Sequence, residues 1–242
     1  MLIAQKEIPE TSPAWHHTVL HDLSLRLEDE QGFPCIFSKN AFARGLVKLC
    51  FVEDNLSQSL RQLADDLRLY VKLSDRWDGN LGTAYPLVVA FSQNAIQSQS
   101  LEDYHAFGWW ILQQLHDFDE KPWPEGVSTD PHHPYWSMCF HGMQIFVNMS
   151  CPAHEQRRSR NLGSHLLFII NPRERFDVVA GDTDAGRKVR ANIRSRIEKY
   201  DQQSHCPQLG SFVAGEIEWW QYGITDVNTT DRADKCPFRS NT

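Results

Sequence analysis

The chain has 242 residues with 24 Lys and Arg against 31 Asp and Glu, a formal net charge of −7, and 41% apolar and 23% charged residues. That composition excludes a disordered chain, and its longest apolar runs, such as residues 86–91, fall well short of the ~18 residues of a membrane span. An acidic chain also excludes general nucleic-acid binding, which needs a basic face.

In chain order, residues 1–34 read as an approach segment with an amphipathic helix from His16 to Glu30. Ser38 is placed to cap a helix running through Ala43, Leu46, Val47 and Cys50. Asp54 caps a longer helix, in which Leu56, Leu60, Leu63, Leu67, Tyr70, Val71, Ser74 and Trp77 recur at helical spacing. Residues 87–91 form a short apolar strand. Ser100 opens a helix whose inner face is Leu101, Tyr104, Gly108, Ile111, Leu112 and Leu115. Residues 119–135 carry four prolines and no periodicity, the pattern of a long ordered loop. Runs 136–140 and 143–149 flank His141-Gly142, a hairpin signal. Residues 166–170 form another strand, ended by Asn171-Pro172, and the last helix spans Asp184 to Tyr200. With no internal repeat and no linker, the expectation is an α+β fold in one domain over residues 1–242. Several helices would surround a small mixed or antiparallel sheet that contains a hairpin.

Familiar catalytic motifs are missing: there is no dinucleotide-binding glycine fingerprint, no phosphate-binding loop, no His-Glu-x-x-His and no nucleophile elbow. The charge is instead uneven. Residues 155–200 hold 11 basic against 6 acidic residues, which suits one small anionic ligand. The densest polar cluster, residues 148–161, lies between two strands. There His154 has an imidazole able to ligate a metal, and Arg157, Arg158 and Arg160 can grip carboxylates or phosphates. A histidine beside arginines suits haem, with imidazole on the iron and guanidinium on the propionates. A solvated turn with locally paired arginines is the alternative. Cys139, His141, Cys151 and His154 make a second constellation, with the ligand types of a tetrahedral zinc site. Cys35, before a helix start, reads as a packed cysteine, a reactive thiol or a haem ligand. His105 shares a helical face with Leu101, Gly108 and Leu112 and reads as a core histidine, and His132-His133 as a solvated pair. The pairs Trp109-Trp110 and Trp219-Trp220 read as core and pocket wall. Glu216 and Glu218 alternate along an expected strand, where a carboxylate against an aromatic wall can hold a guanidinium or ammonium.

The blocks at residues 33–41, 146–154, 157–163 and 170–176, followed by 218–222 and 236–238, resemble the YqcI/YcgG family in order along most of the chain. The resemblance implies a haem-dependent N-hydroxylase of guanidino groups, including that of free L-arginine. It further implies haem b bound through His154 as axial iron ligand, with Arg157, Arg158, Arg160, Asn171 and Arg173 around the propionates or the substrate carboxylate. Glu218 becomes the partner of the substrate guanidinium. The oxidant would be O2 or peroxide and the electrons would come from an external donor, since no flavin or nicotinamide motif is present. A non-catalytic haem-binding or haem-sensing protein and a zinc-stabilised binding domain are the alternatives. No secretion signal opens the chain and its six cysteines read as thiols, so a cytoplasmic protein without nucleic-acid or membrane partners is expected, with a homodimer as the assembly to test.

Overall fold

Short apolar runs that alternate between two buried faces form the centre of the molecule. The computed structural model describes residues 1–30, 32–229 and 236–240. Six strands, β1 (Ile3–Ala4), β2 (Lys48–Val52), β3 (Leu87–Phe91), β4 (Cys139–Phe140), β5 (Met143–Ser150) and β6 (Leu166–Pro172), make one mixed sheet in the order β1-β2-β3-β6-β5-β4. Only β2 and β3 pair in parallel, as their connection through α3 (Ser57–Ser74) requires; the other neighbours are antiparallel. His141 (φ 52°) and Gly142 (φ 82°) supply the two left-handed residues of the tight turn between β4 and β5.

Because side chains alternate across a strand, each sheet face has its own core. Val89, Phe91, Phe168, Ile170, Val147 and Met149 pack under α3 and α4 (Leu101–Asp117). Leu49, Val88, Ala90 and Leu167 pack on the other face with Val19 and Leu23 of α1 (Ala14–Leu27). That second face is also flanked by α2 (Ile36–Ala43), α5 (Glu174–Ala180) and α6 (Asp184–Asp201). Gly108 lets α4 sit close to the sheet, since a Cβ there would lie 2.6 Å from the Met149 sulfur. No helix among the described residues is long and apolar enough to cross a membrane.

The mixed sheet with its hairpin and surrounding helices is the expected α+β arrangement, but four local expectations need correction. The helix expected to continue through Cys50 stops at Ala43; Gly45 (φ +72°) turns the chain, and Lys48–Val52 is a strand. Its cap is Cys35 rather than Ser38. Asp54 does not cap α3 directly: its carboxylate accepts the Leu56 N–H (3.0 Å), and Leu56 is the N-cap residue. The strand expected around Glu216 and Glu218 is instead a tight helical turn at Trp219–Gln221.

Candidate functional site

The face of the sheet away from α3 and α4 is not fully covered. Asn148 and Ser150 of β5 and Ile169 and Asn171 of β6 open onto a cavity of about 250 Å³. A second cavity of about 400 Å³ abuts it, sharing Cys35, Ser38, Pro86, Asn171, Phe176 and Ile193. A third of about 210 Å³ shares Phe146, Phe176, Ile193, Ile197 and Leu209 with the first. The result is one branched crevice between the sheet and α2, α5 and α6, apolar on its walls and within the size range of cofactor sites. Cations stand around it: Arg160 at the first cavity, Arg44 and Arg175 at the second, Arg190 and Arg194 at the third. Cys35 lines the first two cavities as the residue that opens α2.

Glu218 lies at the third cavity, 3% exposed. Its Oε1 accepts hydrogen bonds from the hydroxyls of Ser137 (2.7 Å) and Tyr222 (2.8 Å), while Oε2 lies 3.5 Å from Nε of Arg173. Burial pushes its carboxyl up to about 7, against the opposing pull of both hydroxyls and Arg173. Arg173 makes a two-point pair with Asp177 (2.7 and 3.1 Å) and lays its guanidinium 3.3 Å over the Phe212 ring. The cavity therefore already holds one guanidinium between a carboxylate and an aromatic face.

The cluster around His154 is separate. His154 lines none of the three cavities. Cys151 follows Val147 and Met149 onto the α3–α4 side of the sheet, and His105 reaches it from α4. Nδ1 of His154 meets Asp226 at 2.7 Å, and the same carboxylate accepts the backbone N–H groups of Glu155 (2.9 Å) and Arg157 (3.1 Å). Burial lowers the His154 pKa despite the Asp226 contact, and burial followed by the neighbouring His154 lowers that of His105 to about 4. Both imidazoles are thus neutral near pH 7, each with a lone pair to offer.

The residues grouped by sequence into one haem site therefore fall into different places. Asn171 and Arg160 face the first cavity, and Arg173 and Glu218 the third. Arg160 also donates to Asn148 (2.7 Å) and to the carbonyl of Gln221 (3.2 Å), and burial brings its pKa down to about 10. Arg157, 2% exposed, is a structural staple: it donates to the carbonyl of Thr225 (2.5 Å) and to Asn228. Arg158 pairs with Asp29 (3.2 Å) and stacks on Tyr200. The four-ligand zinc constellation does not assemble either. Cys139 pairs with Gln144 across the hairpin, while Cys151 lies seven residues further on, roughly 23 Å along an extended strand. Glu216 accepts the Ser211 N–H at an exposed turn, apart from the buried Glu218.

Sequence reading missed Asp226, Ser137 and Tyr222, which reach their partners across 72, 81 and 4 residues. It also assigned His105 to the core. Only Tyr222 had a local signal, one helical turn after Glu218.

The profile of the YqcI/YcgG family matches residues 23–239. The chain is 56% identical over 237 residues to the "Putative N(omega)-hydroxy-L-arginine synthase DcsA" of Streptomyces lavendulae, covering 98% of this chain and 89% of that protein. It is 34% identical to the "Uncharacterized protein YcgG" and 29% identical to the "Uncharacterized protein YqcI", both of Bacillus subtilis (strain 168), in each case over 96% of this chain and 91% of the relative. No solved structure matches it.

Proposed function

The chain belongs to the YqcI/YcgG family, and from that membership we propose that it is a haem-dependent monooxygenase that hydroxylates a guanidino nitrogen of L-arginine or a close analogue. The relative named for N(omega)-hydroxy-L-arginine synthesis supports the substrate class. The observation that carries the reading is the crevice itself, with a thiol on its wall, cations at its rim and a buried carboxylate in the adjoining cavity.

The residues of the crevice fit a haem. Its walls are apolar, as a porphyrin needs, and Arg44, Arg160 and Arg175 are cations suited to propionates. Cys35 is the ligand-competent side chain on this wall, and in this reading its sulfur would hold the iron in place of His154, which lies across the sheet. Bound haem would supply the activation of O2 or peroxide that no side chain here performs; with O2, two electrons and two protons from an external donor reduce the second oxygen atom to water.

The protein's own task is to place one nitrogen. Oε2 of Glu218 receives the substrate guanidinium, while Ser137 and Tyr222 hold Oε1 and fix the plane of the carboxylate. Arg194, which donates to the Leu209 carbonyl (2.6 Å), lines the same cavity and is the cation for the substrate's α-carboxylate. Phe212 and Phe146 keep water from the space between them.

The test is the absorbance spectrum of protein expressed with ample iron and haem precursor, compared with Cys35→Ala and His154→Ala. A Soret band, shifted to long wavelength in the ferrous–CO form and lost in Cys35→Ala, is expected together with hydroxyarginine formation from L-arginine, reductant and O2. Absence of any Soret band overturns the haem reading. A band lost only in His154→Ala returns the iron to His154.

A further inference from the structure

We propose that His105, Cys151 and His154 form a three-ligand metal site for a borderline-soft divalent cation, zinc(II), separate from the crevice and on the other face of the sheet. The three ligand atoms lie within 4.8 Å of one another, so a single point stands within about 2.8 Å of all three. Drawing each inward by roughly 0.5–0.8 Å brings them to the ~2.0–2.3 Å of zinc–nitrogen and zinc–sulfur bonds.

Two further observations point to a ligand. The Nε2 atoms of His105 and of His154 are both buried with no hydrogen-bond partner, although buried polar atoms nearly always find one. The His154 side chain is fully buried. The other nitrogen of that ring is already oriented by Asp226 at 2.7 Å, the carboxylate–histidine arrangement that fixes the tautomer of a metal ligand. Asp226 is itself pinned by the backbone N–H groups of Glu155 and Arg157. On the far side, Gly223 leaves room for the second imidazole: a Cβ there would lie 3.0–3.2 Å from ring atoms of His105.

The ligand set is chemically coherent. Two neutral imidazoles and one thiolate are the nitrogen and sulfur donors that zinc prefers, with the fourth position left to water or an exogenous group. Binding releases the Cys151 thiol proton. The thiolate and Asp226 then balance the two charges of the ion, with the Arg160 guanidinium nearby and held by Asn148 and Gln221. The ion would tie α4 to the loop that leaves β5.

The test uses the full chain, stripped with a chelator and titrated with cobalt(II) as the spectroscopic probe for zinc. One equivalent should bind, giving a sulfur-to-cobalt charge-transfer band and tetrahedral ligand-field bands, and zinc should displace it. Cys151→Ser should abolish the charge-transfer band, and His105→Gln, at a partly exposed position, should abolish stoichiometric binding with the circular dichroism unchanged. Asp226→Asn should weaken binding about 10–100-fold. Cys35→Ser should keep the cobalt signal in full, so failure of the haem reading leaves this site standing. Absence of binding by the unaltered chain, or a charge-transfer band that survives Cys151→Ser, overturns the proposal. So does loss of the haem Soret band in folded His105→Gln, which would assign the cluster to haem.

Discussion

Replacing Glu218 by glutamine isolates the cost of ionising a carboxyl group buried beside the third cavity. In the folded chain without substrate, burial carries its pKa from 4.5 to about 7. At about 1.4 kcal/mol per unit, this corresponds to about 3 kcal/mol of folding stability. The sign follows from the direction: the folded state holds the proton more tightly than the unfolded state, so the stability is fully present below pH 4.5 and is lost as pH rises through 7. Glutamine still accepts from Ser137 and Tyr222 through its carbonyl oxygen and does not titrate. Urea unfolding of both proteins across this range should show the Glu218→Gln variant gaining about 3 kcal/mol on the wild type between the acid and alkaline ends. A stability difference that stays flat with pH would refute the reasoning, because it would mean that Glu218 ionises as easily folded as unfolded.

Two further outcomes follow from named contacts. In the proposed role, L-arginine would pair with ionised Glu218, so affinity should fall by up to about tenfold per pH unit below about 7, with proton release on binding; calorimetry in buffers of different ionisation enthalpy reads both, and pH-independent affinity would remove Glu218 from the site. Gly108→Ala forces a methyl group to within 2.6 Å of the Met149 sulfur and 3.3 Å of Phe168, and should cost about 1–3 kcal/mol by overpacking. Thermal unfolding measures this, and an unchanged midpoint would show that α4 shifts freely on the sheet.

Periodicity made the long elements legible. In α3, Leu60, Leu63, Leu67, Tyr70 and Val71 are all buried at helical spacing, and the Ser100 cap of α4 accepts the Asp103 N–H (3.3 Å) as its pattern predicts. The error at 46–50 has a clear cause. A short apolar run fits a buried strand and a helix turn equally well, and only Gly45 marked the break. Residues 174–180 gave no sign of α5 because its seven residues are mostly exposed and carry little apolar stripe. At the candidate site, sequence reading joined residues by their proximity along the chain. His154 and Asn148 are six residues apart yet belong to different places: Asn148 opens onto the cavity, whereas the chain leaves β5 at Ser150 and carries His154 to Cys151 and His105. No local pattern reports that Glu218 meets Ser137 or that Asp226 meets His154.

The sheet has a consequence for how this chain meets other molecules. Both of its edge strands, β1 and β4, are only two residues long. A foreign strand laid against either edge would find a ladder of about one residue pair before the chain turns away, too little to offset the entropy of alignment. Strand exchange, edge-to-edge stacking and growth into fibrils are therefore discouraged at both ends. Two copies of this chain would have to associate through their helices and loops, where side chains rather than backbone choose the partner.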